Sequence, residues 1–429
     1  MKYAAIDHAL FISNRQKLCK LLKPKSIAVF NSNDILPTNA DGTMPFRQNN
    51  DLFYLSGIDQ EESILLLAPD FYDHSFREIL FLRETNENIA VWEGHKYTKE
   101  EAFGTSGVKT VMWLSQFEQT LNTVLMESEH VYLNSNEHIR AAVMTETRDA
   151  RFMKWCLGKY PLFKYERLAP LMSSLRAVKS FQEIELMQEA CNITEKGFRR
   201  VLKFVKPGVA EYEIEAEFIH EFIRNKSRGF AYQPIIASGA NACVLHYIEN
   251  KNVCKEGEVI LIDVGAEYAN YNADMTRSVP VAGRFTKRQA DVYQAVLRVM
   301  KGAMQILRPG TVIPEYHKEV GKIMESELIN LGLIDRTDVK NQNPKSPLYK
   351  KYFMHGTSHH LGLDVHDIGN IYRKIEKNMV FTVEPGIYIP AENLGIRLEN
   401  NVVVKEEGLV DLMKNIPIEL EEIEGLMNS

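Results

Sequence analysis

Val259-Ile260-Leu261-Ile262-Asp263-Val264-Gly265 and Val380-Phe381-Thr382-Val383-Glu384-Pro385-Gly386 are two versions of one pattern: an apolar, β-prone run, then an acid, then glycine. Each run reads as a buried strand. A carboxylate at the end of such a strand is costly unless something cationic neutralises it. The surroundings repeat as well. Ser180 and Glu183 have the S-x-x-E spacing of a capping box, and Ile184, Met187, Cys191, Thr194, Phe198, Val201 and Val205 then recur at three and four, the stripe of an amphipathic helix. Lys206-Pro207-Gly208 stops that helix, and a second runs from about Glu211 to Lys226. Roughly a hundred residues later the layout returns. Thr286 and Gln289 open a helix through Val296, Met300 and Met304, Arg308-Pro309-Gly310 stops it, and a second helix ends at Gly332. The polar segment Asp335 to Tyr352 makes the second copy longer, as an insertion. The pattern predicts two ααββ units packed as a pseudo-twofold pair, with both acid-bearing strands facing one cleft.

Four acids are thereby placed in that cleft. Asp263 and Asp274 are expected on the two strands of one hairpin, joined by a polar turn near Ala269-Asn270-Tyr271-Asn272, and Glu384 and Glu399 on the two strands of the other. Alternation puts Arg397 and Glu399 on one side of their strand, and Ile396, Leu398 and Val402 on the other. Four carboxylates in a water-poor cleft repel one another, and divalent cations remove the conflict. With one histidine added, the donors are oxygen-rich with a single nitrogen, which favours two ions of the Mn2+ kind over a thiolate zinc site. A pair of such ions suits hydrolysis. His246 precedes Asp263 by nearly the spacing at which His366 precedes Glu384, so the two histidines are repeat mates expected in the shared cleft. Among His355, His359, His360 and His366, His360 is expected to be structural. Tyr388 and Arg397 flank the acids.

Bulk properties exclude several classes of function. At 429 residues the chain predicts two domains, 1–173 and 174–429. A net charge of −6 offers no basic footprint for nucleic acid or an anionic membrane. The five dispersed cysteines lack C-x-x-C spacing, so neither a disulfide framework nor a zinc cluster is indicated. The amino terminus shows no signal-peptide pattern and no apolar run is long enough to span a bilayer, so a cytoplasmic location is expected. In the first domain Ser26–Phe30, Glu62–Leu67 and Ile79–Leu82 read as strands, and the polar part of Met44–Ile58 as a loop leading into a strand. Trp92, in Val91-Trp92-Glu93-Gly94, is a candidate contact residue.

From about residue 175 to 405 the chain resembles the pita-bread metallopeptidases, the family of methionine aminopeptidase, prolidase and aminopeptidase P. The resemblance is carried by LIDVGAEYANYNADMTRSVPV, HGTSHHLGLDVHD, TVEPGIYI and GIRLEN. MPFRQNNDLFYLSGI and VWEG, with the overall length, are similar to the amino-terminal domain of the Xaa-Pro aminopeptidases. The implied fold is α/β: a creatinase/aminopeptidase P-like mixed sheet followed by a pita-bread catalytic domain. The resemblance implies that Asp263, Asp274, His359, Glu384 and Glu399 hold two divalent metal ions. It further implies that Glu384 serves as general base, and that His246, His355, His366 and Arg397, with Tyr388 nearby, bind substrate or move protons. The implied substrates are peptides with proline at position 2, and the implied assembly is a homodimer or homotetramer. A prolidase acting on Xaa-Pro dipeptides shares the same site. A non-catalytic binding module of this fold usually lacks ligands that are all present here.

Overall fold

A computed structural model describes residues 3–142 and 144–429, and the chain divides into two compact units, Ala4–Arg176 and Ala177–Ser429, the latter including Tyr3.

In the first unit, β1 (Ser26–Asn31), β2 (Ile64–Leu67), β3 (Glu78–Leu82), β4 (Thr110–Trp113), β5 (His130–Leu133) and β6 (Lys164–Arg167) form a mixed sheet in the order β4-β3-β2-β1-β5-β6. The β1–β2 and β2–β3 pairs are antiparallel and the others parallel. Helices α1 (Ala9–Cys19), α2 (Asn50–Ser56), α3 (Glu87–Glu93), α4 (Lys99–Ser106), α5 (Phe117–Leu125), α6 (Arg148–Lys159) and α7 (Ala169–Ala177) connect and cover it. Side chains alternate across a strand, so Ile27, Val29, Ile64, Leu66, Ile79 and Phe81 share one face, where Phe117, Leu121 and Cys156 of α5 and α6 close the core.

The polar part of Met44–Ile58 is a loop as expected, but it leads into the helix α2 where a strand was expected. The Asn49 side chain accepts from the amides of Asp51 and Leu52 at 3.0 and 3.3 Å, a proper N-cap, and Gly57 ends the helix at φ 68°. Leu52, Phe53, Tyr54 and Leu55 are all buried, so this short helix has no polar face and shows no 3.6-residue period. Buried Arg15 donates through Nη1 to Leu55 O at 2.7 Å and Ser106 O at 3.0 Å, satisfying carbonyls at the ends of α2 and α4. Strand β2 starts later than expected, at Ile64, because Glu62 turns the chain at φ 51°.

The second unit contains the predicted repeat. Helices α8 (Phe181–Phe204) and α9 (Glu211–Arg224) pack together, as do α10 (Lys287–Ile306) and α11 (Ile313–Asn330). Both expected capping boxes form, at Ser180/Glu183 and Thr286/Gln289. The first pair leads to β7 (Ile235–Ser238), β8 (Val259–Val264), β9 (Glu267–Tyr268), β10 (Tyr271–Asn272) and β11 (Met275–Pro280). The second leads through α12 (Arg336–Asn341), within the inserted segment, to β12 (Val380–Val383), β13 (Gly386–Ile389), β14 (Leu394–Arg397), β15 (Asn400–Val404) and β16 (Leu409–Asp411). Helix α13 (Leu420–Met427) packs on α8 and α10. The architecture is the expected α/β pair of ααββ units.

Each hairpin is longer than one ladder and is interrupted once. In the first, β8 pairs with β11 and β9 with β10 in a common register, and the ladder opens between them. In the second, β12 with β15 and β13 with β14 behave identically. The interruptions have local causes. The Ala266 amide donates to Thr194 Oγ1 at 3.0 Å and not across the hairpin, and Pro385 has no N–H to offer. Asp274, Glu384 and Glu399 lie at these openings beside the strands, a finer placement than the sequence indicated; Asp263 alone is within a ladder, opposite Thr276.

Candidate metal centre

The two hairpins meet along β11 and β14–β15, where side chains supply much of the pairing. Thr276 and Glu399 form an antiparallel bridge, with Glu399 N donating to Thr276 O at 3.0 Å. On one side of it, Ser278 Oγ accepts from Arg397 N at 3.2 Å and donates to Arg397 O at 3.3 Å. On the other, Asn401 donates to Asp274 O at 2.6 Å and accepts from Asp274 N at 3.0 Å, in the manner of a peptide group. Buried Arg277 ties the join from behind through the carbonyls of Thr276 and Glu399, at 2.9 and 2.7 Å. The acids of both halves are thus brought to one place by backbone geometry.

His359 reaches them from a third segment. Glu384 N donates to Thr357 O at 2.8 Å, Thr382 N to His359 O at 3.0 Å and Leu361 N to Val380 O at 3.2 Å, so residues 357–361 run antiparallel beside β12. Alternation then separates the adjacent histidines. His359 Nε2 stands 3.4 Å from Asp274 Oδ2 and 3.5 Å from Glu384 Oε1. His360 packs against the Phe381 ring, centroids 4.4 Å apart, and burial pushes its pKa down to about 3. That is the structural place expected of it.

The centre carries an excess of negative charge. Donor atoms of Asp274, His359 and Glu399 all lie within 4.8 Å of one another, a spacing one cation can span. Burial, then repulsion from the other acids, drives the pKa of Glu399 up; burial also raises that of Asp263, despite Arg397 beside it. Glu384 is pushed up to about 7, again by burial first. Burial acts the same way on Asp274, but the His359 hydrogen bond and charge outweigh it and its pKa falls. Those carboxylates raise the His359 pKa in return, against the effect of burial. Oxygen-rich donors with one imidazole nitrogen and unbalanced carboxylates fit hard or borderline divalent ions.

A donor chain surrounds the acids. Arg397 pairs with Asp263 Oδ2, and donates to Thr276 Oγ1 at 3.1 Å and Tyr388 OH at 2.8 Å. Thr276 then donates to Glu399 Oε2 at 2.7 Å. Tyr388 OH lies 2.8 Å from His355 Nε2, and His355 Nδ1 lies 2.8 Å from Gly356 O. With Arg397 donating to it, the phenol donates to Nε2, so His355 carries its proton on Nδ1. Burial, then the Arg397 charge, pushes the His355 pKa down to about 3. His366 sets its ring edge-on to His359, centroids 4.4 Å apart. His246 is exposed, close enough for its charge to oppose protonation of His355.

Sequence reasoning missed Tyr232. Its hydroxyl lies 2.6 Å from Asp263 Oδ1 and 2.6 Å from Asp274 Oδ1, bridging the two acids of the first hairpin. Nothing in Phe230-Ala231-Tyr232-Gln233 signals this, because the residue comes from a loop remote in sequence from both partners. Thr276 and Asn401 carried a faint signal: Thr276 sits two residues beyond Asp274, and Asn401, with Asn400, opens a strand that is otherwise apolar.

Comparison with known proteins identifies the family. Residues 185–406 match metallopeptidase family M24, and residues 11–132 match the aminopeptidase P N-terminal domain. The Xaa-Pro aminopeptidase of Escherichia coli is 35% identical, with 98% of each chain covered. Among solved structures, a Pseudomonas aeruginosa aminopeptidase superposes with a TM-score of 0.90 at 29% identity, covering 99% of this chain and 98% of that one. A zinc-substituted Escherichia coli aminopeptidase P in complex with product has a TM-score of 0.87 at 34% identity, covering 99% of both chains.

Proposed function

We propose that this chain, which belongs to metallopeptidase family M24, is an Xaa-Pro aminopeptidase that removes the first residue of peptides whose second residue is proline. The observation that carries the reading is the convergence of Asp263, Asp274, His359, Glu384 and Glu399 in one largely buried cluster whose crowded carboxylates would be relieved by cations. Those five residues would hold two divalent ions, with Mn2+ favoured by the oxygen-rich donor set. When bound, such ions supply an acidified water and a Lewis-acid clamp on the scissile carbonyl.

The chain's own groups account for the remaining steps. Glu384 takes a proton from the attacking water and holds it for the leaving nitrogen. A prolyl nitrogen has no N–H and leaves as an amine only after protonation, so that delivery is the demanding step. His366, whose ring lies against that of His359, would donate to the oxyanion. His355, held neutral between Tyr388 and Gly356, presents a flat ring, and with His246 it walls the site for the proline ring. Arg397 balances Asp263 and orients Thr276 and Tyr388, which in turn orient Glu399 and His355.

The test is to incubate the Mn2+-loaded protein with Arg-Pro-Pro and, separately, with Ala-Pro. Release of arginine from the tripeptide, abolished by a chelator, is expected. Cleavage confined to Ala-Pro would make the protein a dipeptidase. Cleavage of neither, with metal bound, would favour a binding role.

A further inference from the structure

We propose that Glu211 is a positioning residue for this reaction: it sets the segment Ser238–Asn252, and with it His246. The proposal rests on the reading of His246 as part of the substrate pocket. Glu211 opens α9 and is 0% exposed. An acid in a first helical turn ordinarily stays in solvent and complements the helix dipole. Here the capping work falls to Glu213, whose side chain accepts from Ala210 N at 2.7 Å. Glu211 turns inward and collects five donors from a single segment. Oε1 accepts from Ser238 N and Ser238 Oγ, both at 2.7 Å, and from Asn241 Nδ2 at 3.3 Å. Oε2 accepts from Tyr247 OH at 2.8 Å and Asn252 N at 2.9 Å. One carboxylate therefore ties the two ends and the middle of the stretch that carries His246. A buried acceptor of this kind is expensive to mismatch.

The opposite side of the segment faces the metal centre. A Cβ at Gly395 would collide with the Ala242 carbonyl, so β14, the strand ending at Arg397, admits the segment only because glycine is there. Tyr247 and Ala242 join Tyr388 in one apolar cluster, and the Tyr388 hydroxyl touches both Arg397 and His355. Among the described residues no hydrogen bond holds the exposed His246 ring, so its place is set by the backbone beside Tyr247. Glu211 touches none of the cluster's acids; it acts through the segment.

Glu211→Gln keeps the shape and turns an amide donor towards groups that are themselves donors. With Arg-Pro-Pro as substrate and Mn2+ saturating, the expected result is a KM raised about tenfold with kcat changed less than about threefold, the mark of lost binding and not of lost chemistry. In a His246→Ala background the same substitution should add less than about twofold, because residues acting through one another are not additive. Tyr247→Phe removes one donor only; its smaller rise in KM should likewise vanish in the His246→Ala background, and it decides the matter if the Gln variant does not fold. A folded Gln variant with wild-type KM, or effects that multiply with those of His246→Ala, would overturn the positioning role alone. A wild-type KM for His246→Ala itself would overturn the pocket reading and this proposal together.

Discussion

Replacing Tyr232 with phenylalanine removes one oxygen from the middle of the acidic cluster while keeping the ring. That oxygen is 2.6 Å from both Asp263 and Asp274, and the residue is half-buried. A hydrogen bond to a charged acceptor contributes about 1.5–3 kcal/mol, and one O–H shared by two carboxylates belongs at the lower end, about 2 kcal/mol. In the proposed metal centre the hydroxyl would hold the acids in the arrangement that accepts a cation, so the loss should appear in metal affinity. Two kcal/mol corresponds to roughly a 30-fold weaker Mn2+ dissociation constant, within the range found for groups that orient metal ligands. Competition with a chromogenic chelator measures it. Turnover of Arg-Pro-Pro should recover largely at saturating Mn2+, because the hydroxyl orients ligands without taking part in proton transfer. A Mn2+ dissociation constant within threefold of wild type would refute the reasoning, as would a kcat defect that no amount of metal relieves.

Two further outcomes follow from groups around the centre. Lys179 and Asp367 form an ion pair at 2.8 Å with side chains 1% exposed, and Asp367 follows His366 directly. Lys179→Met should lower stability in urea unfolding by more than about 1 kcal/mol by removing the cation that faces buried Asp367, and Lys179→Met with Asp367→Leu should recover most of it; a single-variant loss below about 1 kcal/mol contradicts this assignment. His317 accepts from Ser358 N at 3.1 Å, and burial pushes its pKa down to about 4 from an unfolded value of 6.5. The folded state therefore binds fewer protons between those values, and stability held above pH 6.5 is lost as pH falls towards 4, by up to about 3 kcal/mol. His317→Gln should narrow its stability deficit against wild type over that interval in thermal melts; a deficit independent of pH would count against the assignment.

The parts of this molecule visible in the sequence are those written in local periodicity. Ser180/Glu183 and Thr286/Gln289 announced their helices because a capping box is short-range, and the two acid-ended strands announced each other because they are copies. Helix α2 was hidden because Leu52, Phe53, Tyr54 and Leu55 are buried on every side, leaving no polar face to set a period. The acids of the cluster were legible, since a carboxylate after an apolar run is conspicuous. Their supports were not. Tyr232, the Asn401 amide that mimics a peptide, and the five-donor embrace of Glu211 depend on contacts between residues far apart in the chain, which no window along it contains. Arg397 was expected beside the acids, but its pairing with Asp263 required the two hairpins to be brought together.

The most direct test of the account is the kcat of Glu384→Gln on Arg-Pro-Pro, with the Mn2+ content of the same sample measured by elemental analysis. Glu384 is assigned both a place among the metal-holding acids and the proton transfer, so a fall in kcat of about 10²–10⁴-fold is predicted even where metal remains bound. Near-normal turnover with metal retained would contradict the central claim and move the reaction away from this cluster.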